Sequence, residues 1–248
     1  MTSCRSHTIR LALLLATCVA IAQPARAELK ELSKKLGGTT VQYKVVLPNG
    51  YDAAKAYPAV LVFGGGPQTM NTIDRTLMNN FRAEAEKRGY IVIGVAAPNG
   101  QLFFEGGERI FPEFLKMMLA DYKIDGGKFH VAGPSNGGIA AFHVAAANPQ
   151  YFMSITAFPG YLWQPSAGRL QAIAGICSFM YVGENDEYRW HNEMKAEADA
   201  LRSRGTVARY TVERGQPHRI DTLAGDHAGR LFDGFEEART GCRVKSSE

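Results

Sequence analysis

Residues 128–149 read KFHVAGPSNGGIAAFHVAAANP, and this stretch decides the fold. The apolar run from Lys128 to Ala132 predicts a buried strand, and residues 135–147 predict a helix. The turn between them contains Gly133-Pro134-Ser135-Asn136-Gly137, a GxSxG sequence in its strand-to-helix context. Glycines at both ends of such a turn leave room for a strained serine whose hydroxyl stands above the sheet edge. Ser135 is therefore our candidate nucleophile, and its alternative role is to cap the helix.

Outward from this stretch, the chain alternates between strand patterns and helix patterns. This alternation predicts one α/β domain over residues 28–248, with a mostly parallel sheet and helices on both faces. The segment between residues 158 and 178 is too short for a cap domain, so we expect an open site. The predicted strands are 39–47, 58–63, 90–97, 128–132, 153–158, 178–182 and 206–213, and the predicted helices are 74–88, 113–122, 135–147, 190–204 and one within 220–238.

Two later loops supply the groups that a serine nucleophile needs. A serine hydroxyl attacks well only when a neighbouring imidazole accepts its proton. His218 follows the last predicted strand and is our candidate base, with His227 as the alternative. The imidazole needs a carboxylate in turn, and Asp186 follows the preceding strand. Glu184 is the alternative acid, and the alternative role of Asp186 is to cap the next helix.

The negative charge that develops during such an attack needs N–H donors that are already in place. The amide of Asn136 is one candidate donor. The second is expected from Gly65 or Gly66, which follow the strand 58–63 and carry no side chain to keep a substrate away. A phosphate-binding loop of the Walker type is the alternative, but the Lys-Ser/Thr pair that it requires does not follow.

Several aromatic residues lie in segments that follow strands, on the expected side of the site. Among them, Trp163 and Tyr188 are our candidates for binding substrate. Packing within the protein is an equally good interpretation of such residues.

Residues 1–27 have the pattern of a bacterial-type export signal. Arg5 and Arg10 precede an apolar run over residues 11–22, and Ala25-Arg26-Ala27 forms a cleavage site. The run is shorter than the roughly 20 residues of a membrane span, so we expect no stable membrane anchor. The sequence predicts cleavage after Ala27 and a secreted or periplasmic protein. Lipidation at Cys18 is the weaker alternative.

Charge and cysteine content narrow the choice of partners. Removal of the arginines at positions 5, 10 and 26 lowers the formal net charge from +4 to +1. The basic surface of a nucleic-acid binder is therefore not expected. Cys177 and Cys242 would remain, either as a disulfide or as two separate thiols. Their spacing is not that of a metal site, and we expect neither a metal nor another cofactor.

Four stretches together carry a family resemblance: PAVLVFGGG at 58–66, VAGPSNGG at 131–138, YVGENDEY at 181–188 and GQPHRI at 215–220. Their order and spacing resemble those of α/β-hydrolases, and within these the chain looks most like secreted feruloyl esterases and polyhydroxybutyrate depolymerases. The resemblance implies a serine carboxylesterase that acts on small-molecule or polymeric esters, such as feruloyl or hydroxyalkanoate esters, through an acyl-enzyme. One departure is Phe63, where such proteins commonly have His before the glycines. The alternatives are a serine peptidase of related fold and a noncatalytic exported binding protein.

Overall fold

The computed structural model describes residues 28–241, and eight strands of this part form one sheet. The strands are β1 (Glu28–Leu36), β2 (Thr39–Leu47), β3 (Tyr57–Phe63), β4 (Ile91–Val95), β5 (Ile124–Gly133), β6 (Phe152–Ala157), β7 (Cys177–Gly183) and β8 (Ala208–Glu213). Their order across the sheet is β1-β2-β4-β3-β5-β6-β7-β8. Strand β2 is antiparallel to both of its neighbours, and all other pairs are parallel. The predicted mostly parallel sheet is therefore confirmed.

Helices cover both faces of this sheet, as predicted. The helices are α1 (Met70–Thr76), α2 (Arg82–Arg88), α3 (Phe111–Asp121), α4 (Asn136–Ala147), α5 (Ala167–Ala172), α6 (His191–Arg202) and α7 (Gly229–Arg239). Successive strand residues point to opposite faces. Leu61 of β3 belongs to the core cluster that contains residues of α3, α4 and α6, while Val60 and Val62 belong to the cluster that contains residues of α1, α2 and α7. Coverage on both sides explains why the middle of β3 is an uninterrupted apolar run.

The structure differs from the predicted elements at several positions. Strand β1 was not predicted, because it is a mostly exposed edge strand whose Glu and Lys residues hide any alternation. The helix predicted to start at residue 74 starts at Met70, where the Thr69 side chain accepts a hydrogen bond from the Thr72 amide. Between α1 and α2 the chain forms a π-helical turn, Leu77–Phe81. His227 was expected in the final helix but ends a separate 3₁₀ turn.

The segment between β6 and β7 contains one short helix, α5, so no cap domain is inserted in the described part of the chain. No helix within residues 28–241 is long and apolar enough to cross a membrane. Cys177 is disulfide-bonded. The predicted export signal and Cys242 lie outside the described residues.

Glu197 is an acidic residue that is buried in the protein interior. Its carboxylate accepts a 2.5 Å hydrogen bond from the backbone amide of Leu162, while its second oxygen has no hydrogen-bond partner among residues 28–241. Burial raises the pKa of Glu197 to about 8, and the Leu162 hydrogen bond opposes that shift only in part.

This raised pKa predicts a pH-dependent stability. An unfolded Glu titrates near its ordinary pKa of about 4.3, so the folded state binds more protons between that pH and about 8. The free energy of unfolding should therefore fall as the pH rises through this window, by up to about 1.4 kcal/mol per pH unit. Glu197→Gln cannot ionise and should remove this slope in urea unfolding measured at several pH values. The exposed Glu193 of the same helix provides the control Glu193→Gln, and an unchanged slope in Glu197→Gln would contradict the assignment.

Candidate active site

Ser135 occupies a strained turn between β5 and α4. Its backbone has φ 55° and ψ −125°, a conformation that residues other than glycine rarely adopt. The Ser135 amide donates to the Pro159 carbonyl at 2.7 Å, and the Ser135 carbonyl accepts from the Gly138 amide at 2.8 Å. The hydroxyl makes no capping hydrogen bond with α4. Backbone hydrogen bonds therefore hold the turn, and the Ser135 hydroxyl remains available for a partner other than α4.

The glycines on either side of this turn are needed for steric reasons. A Cβ atom at Gly137 would lie 2.5 Å from the Phe63 carbonyl oxygen at the end of β3. A Cβ atom at Gly133 would lie 2.6 Å from the Gly137 carbonyl carbon. Both separations are far below van der Waals contact, so only glycine fits at either position.

A chain of hydrogen bonds joins the three residues that the sequence singled out. Nε2 of His218 lies 2.9 Å from Oγ of Ser135, and Nδ1 of His218 lies 2.7 Å from Oδ1 of Asp186. The Asp186 side chain is completely buried, and 13% of the His218 side chain is exposed. The imidazole thus lies between a serine hydroxyl and a carboxylate that is shielded from water.

Neighbouring groups hold both partners of this chain in place. The Asp186 carboxylate also accepts the backbone amides of Tyr188 at 3.2 Å and Trp190 at 3.0 Å, just before α6 begins. Asp186 thus holds the turn before α6, but it does not cap the helix itself, whose N-cap residue is Trp190 and which has no side-chain cap hydrogen bond. The Tyr188 and Trp190 rings meet the His218 imidazole edge-on, with centroids 4.5 and 4.9 Å away. The Glu187 carboxylate accepts the His218 backbone amide at 2.9 Å.

The structure places the two alternative residues elsewhere. Glu184 accepts a 2.8 Å hydrogen bond from the Gly215 amide, so its carboxylate ties the loop after β7 to the loop after β8. His227 is exposed at the end of its 3₁₀ turn. Within the described residues, no hydrogen bond links either side chain to Ser135 or His218.

The predicted oxyanion residues lie together beside Ser135. A Cβ atom at Gly65 would be 3.6 Å from Cβ of Ser135, so this backbone passes directly next to the nucleophile turn. The Asn136 side chain donates to the Gly66 carbonyl at 2.9 Å and holds the glycine loop against α4. Because Asn136 is the first residue of α4, its amide has no acceptor within the helix.

Gln68 supports this arrangement and was missed in the sequence. It is completely buried, with a left-handed φ of 52°. Its side-chain amide donates to the Asn136 carbonyl at 3.1 Å, and its side-chain oxygen accepts the Phe103 amide at 3.1 Å. Its own carbonyl accepts the Ala97 amide at 2.8 Å. One glutamine thus joins the loops after β3 and β4 to the start of α4, but nothing in a loop sequence marks a Gln for such a role.

A cavity of about 280 Å³ opens beside Ser135 and His218, and the glycine loop forms one of its edges. The two candidate substrate-binding aromatics do not line it. Tyr188 contacts the His218 imidazole and is 62% exposed. Trp163 packs against Phe104 at a centroid distance of 5.7 Å, and its carbonyl is hydrogen-bonded to His143. Within residues 28–241, no three His, Cys, Asp or Glu side chains are grouped as metal ligands.

The comparisons with known proteins agree with this architecture. No protein-family model matches the chain. Over 154 residues it is 32% identical to dipeptidyl-peptidase 5 of Porphyromonas gingivalis, a match that covers 55% of this chain and 22% of that protein. The chain thus spans about a fifth of the length of this curated relative.

Among solved structures, three similar ones illustrate the range. A ferulic acid esterase from the anaerobic fungus Anaeromyces mucronatus has a TM-score of 0.64 and 18% identity, with 87% of this chain and 91% of that chain covered. An S-formylglutathione hydrolase from Agrobacterium tumefaciens has a TM-score of 0.65 and 16% identity, covering 85% and 95%. A dipeptidyl aminopeptidase IV-like protein from Bacteroides ovatus has a TM-score of 0.66 and 15% identity, covering 87% and 36%. The chain therefore has the α/β-hydrolase fold, as its motifs predicted.

The buried bridge at Gln68 leads to a stability prediction. Gln68→Ala removes the hydrogen bond to the Asn136 carbonyl and leaves the buried Phe103 amide without its partner. A lost hydrogen bond costs about 1 kcal/mol, and an unpaired buried group costs about 1 to 3 kcal/mol. We therefore expect the free energy of unfolding to fall by roughly 3 kcal/mol in urea denaturation. Gln101→Ala is a matched control, since it removes an exposed hydrogen bond to the Glu105 carbonyl. Equal decreases in the free energy of unfolding of the two variants would contradict the stabilising role assigned to the Gln68 hydrogen bonds.

Proposed function

We propose that this chain is a serine hydrolase that cleaves carboxylic esters through an acyl-enzyme. The observation that carries the proposal is the continuous hydrogen-bond chain from Asp186 through His218 to Ser135. These three side chains come from loops that follow three different strands. Their meeting at hydrogen-bonding distance matches the arrangement in which an imidazole activates a serine hydroxyl.

In this proposal Ser135 Oγ attacks the ester carbonyl carbon while Nε2 of His218 accepts the hydroxyl proton. Asp186 keeps the other ring nitrogen protonated and stabilises the imidazolium. The oxygen that becomes negative is bound by the Asn136 amide and by an amide of Gly65 or Gly66. His218 then passes its proton to the departing alcohol, which leaves the acyl group on Ser135. A water molecule, deprotonated by His218, releases the acid and restores the serine.

The substrates proposed are small-molecule or polymeric esters. The described chain has no cap domain, which suits a bulky ester, and two of the similar solved structures are named as a ferulic acid esterase and a formylglutathione hydrolase. Tyr188 is exposed beside His218 and offers an aromatic surface next to the reacting atoms. Trp163 is less directly placed, because it packs against Phe104.

A serine peptidase is the second candidate. It is favoured by the 32% identity with dipeptidyl-peptidase 5 and by the structural likeness to a dipeptidyl aminopeptidase IV-like protein. The same three residues would serve amide cleavage, since His218 would protonate the departing amine. An ester and an aminoacyl amide with the same acyl group distinguish the two activities by their relative kcat/KM.

We further propose that the protein is exported, with residues 1–27 removed as the signal. The proposal rests on the arginines, the apolar run and the Ala25-Arg26-Ala27 site. The N-terminal sequence of the protein recovered outside the cytoplasm should begin at Glu28. An uncleaved N-terminus would contradict it.

The proposed mechanism predicts how substitutions affect ester hydrolysis. Ser135→Ala and His218→Ala should each lower kcat/KM for a short-chain aryl ester by roughly 10³-fold or more, since the three residues act as a unit. Asp186→Asn should lower it to a similar degree because the imidazole loses its orienting carboxylate. Steady-state kinetics with purified variants provide the measurement.

His227→Ala is the control, because it removes a histidine that the structure places away from Ser135. Its kcat/KM should stay within about threefold of the unmodified protein. Equal turnover by Ser135→Ala and the unmodified protein would contradict the mechanism. Absence of turnover on esters and amides alike would instead favour a noncatalytic binding protein.

A further inference from the structure

One face of the helical segment from α1 into the π turn forms a wall of the cavity beside Ser135. The spacing of three and four residues places these side chains on a single face, while Ile73, Leu77 and Phe81 on the other face belong to the apolar core. Every residue of the cavity face is polar. The wall consists of Thr72, Arg75, Thr76, Asn79 and Asn80.

Arg75 is the unusual member of this wall. It is exposed, and its guanidinium makes no ion pair or hydrogen bond with any residue in the described part of the chain. Seven of the 13 arginines in residues 28–241 have a carboxylate partner, and these seven are Arg82, Arg88, Arg202, Arg209, Arg219, Arg230 and Arg239. Arg75 thus keeps its five donors available at the cavity.

The cavity as a whole has a positive charge. Arg219, which lies next to His218, is its second cationic residue and is paired with Asp221 at 3.2 Å. No Asp or Glu is among the residues of 28–241 that line it. An anionic group would therefore meet the unpaired Arg75 guanidinium there and no carboxylate among the lining residues.

The wall continues from α1 into the π turn. Such turns are frequent at functional sites. Two consecutive asparagines of this turn, Asn79 and Asn80, line the cavity. Asn80 is buried and fixed by a 2.8 Å hydrogen bond to the Leu223 carbonyl. Asn79 is exposed one turn after Arg75 and offers amide donors beside the guanidinium.

Three other residues that line the cavity, Phe158, Pro159 and Ile220, are apolar. Such apolar surface suits a short hydrocarbon segment between the ester carbonyl at Ser135 and a charged end group. Apolar surface with a few converging polar groups is the usual composition of a small-molecule site.

We propose that this cavity binds the carboxylate end of the substrate. The substrate is then an ester that carries a free carboxylate on its acyl or its alcohol part, bound by Arg75 and Asn79. This inference rests on the proposed ester hydrolysis for its catalytic readout, and it adds the class of substrate. Arginine suits the role because its planar fork can bind both oxygens of a carboxylate.

Two matched pairs of esters test the proposal and locate the charge. In the first pair, p-nitrophenyl hydrogen adipate is compared with methyl p-nitrophenyl adipate, so only the acyl end differs in charge. In the second pair, para-carboxyphenyl butyrate is compared with its para-methoxycarbonyl counterpart, so only the leaving group differs. We expect kcat/KM to favour the charged member by roughly tenfold or more in one of the pairs. That preference should decline as NaCl increases, since salt screens a partly exposed arginine.

The variant Arg75→Gln should reduce this preference by roughly tenfold, to near equality of the two esters, while the neutral ester keeps its kcat/KM within about threefold. Arg189→Gln is the matched control. It removes the same charge from an exposed loop position beside Tyr188 that does not line the cavity, and it should leave the preference unchanged. An equal preference in the unmodified protein and in Arg75→Gln would overturn the proposal.

A binding measurement separates this proposal from that of ester hydrolysis. Calorimetry with Ser135→Ala protein and monomethyl adipate should show binding that the additional Arg75→Gln substitution weakens by roughly tenfold or more. If no ester is turned over but this difference is found, the anion site stands and the hydrolase proposal fails. If esters are turned over and neither charge preference nor binding depends on Arg75, the anion site fails alone.

Discussion

The geometry of the site depends on a backbone contact that admits no side chain. The turn that carries Ser135 lies directly against the end of β3, so that even a Cβ atom at Gly137 would overlap the Phe63 carbonyl. Because β3 and β5 are neighbours in the sheet, this contact sets the position of the glycine loop relative to the serine. The proposed oxyanion donors and the proposed nucleophile are thus fixed by main-chain packing, which costs no reorganisation during a reaction.

A similar backbone approach positions Asp186 and His218, the proposed acid and base. Gly183 ends β7, and a Cβ atom there would collide with the carbonyls of Gln216 and Pro217 in the loop that carries His218. Beyond the strand ends, the Asn185 amide donates to the Gln216 carbonyl at 2.8 Å, which extends the pairing of β7 and β8. The separation of Asp186 and His218 therefore follows from strand pairing, with the side chains of the loop adding support.

These constraints explain which features could be predicted from the sequence. Glycines at forced positions, the alternation of apolar strands and helices, and the order Ser135, Asp186, His218 all leave a local signal, and the structure brings those residues together. Strand β1 left no such signal, because an exposed edge strand buries little apolar surface. Gln68 left none either, because its role depends on loops that meet only in the folded protein.

Residues that could bind substrate are harder to predict from the sequence than the proposed catalytic residues, because their surroundings form only in the folded protein. Trp163 is a conspicuous aromatic residue in the sequence, yet it packs against Phe104. Arg75 looks like any surface arginine in the sequence, and only the structure shows that it lines the cavity. Tyr188 and Trp190 place aromatic rings against the imidazole, whereas the cavity beside Ser135 is lined by Arg75 and Arg219 and by no carboxylate of residues 28–241. The proposed partner of a substrate carboxylate is therefore a property of the assembled cavity, because Arg75 and the loop of His218 are far apart in the sequence and meet only in the folded chain.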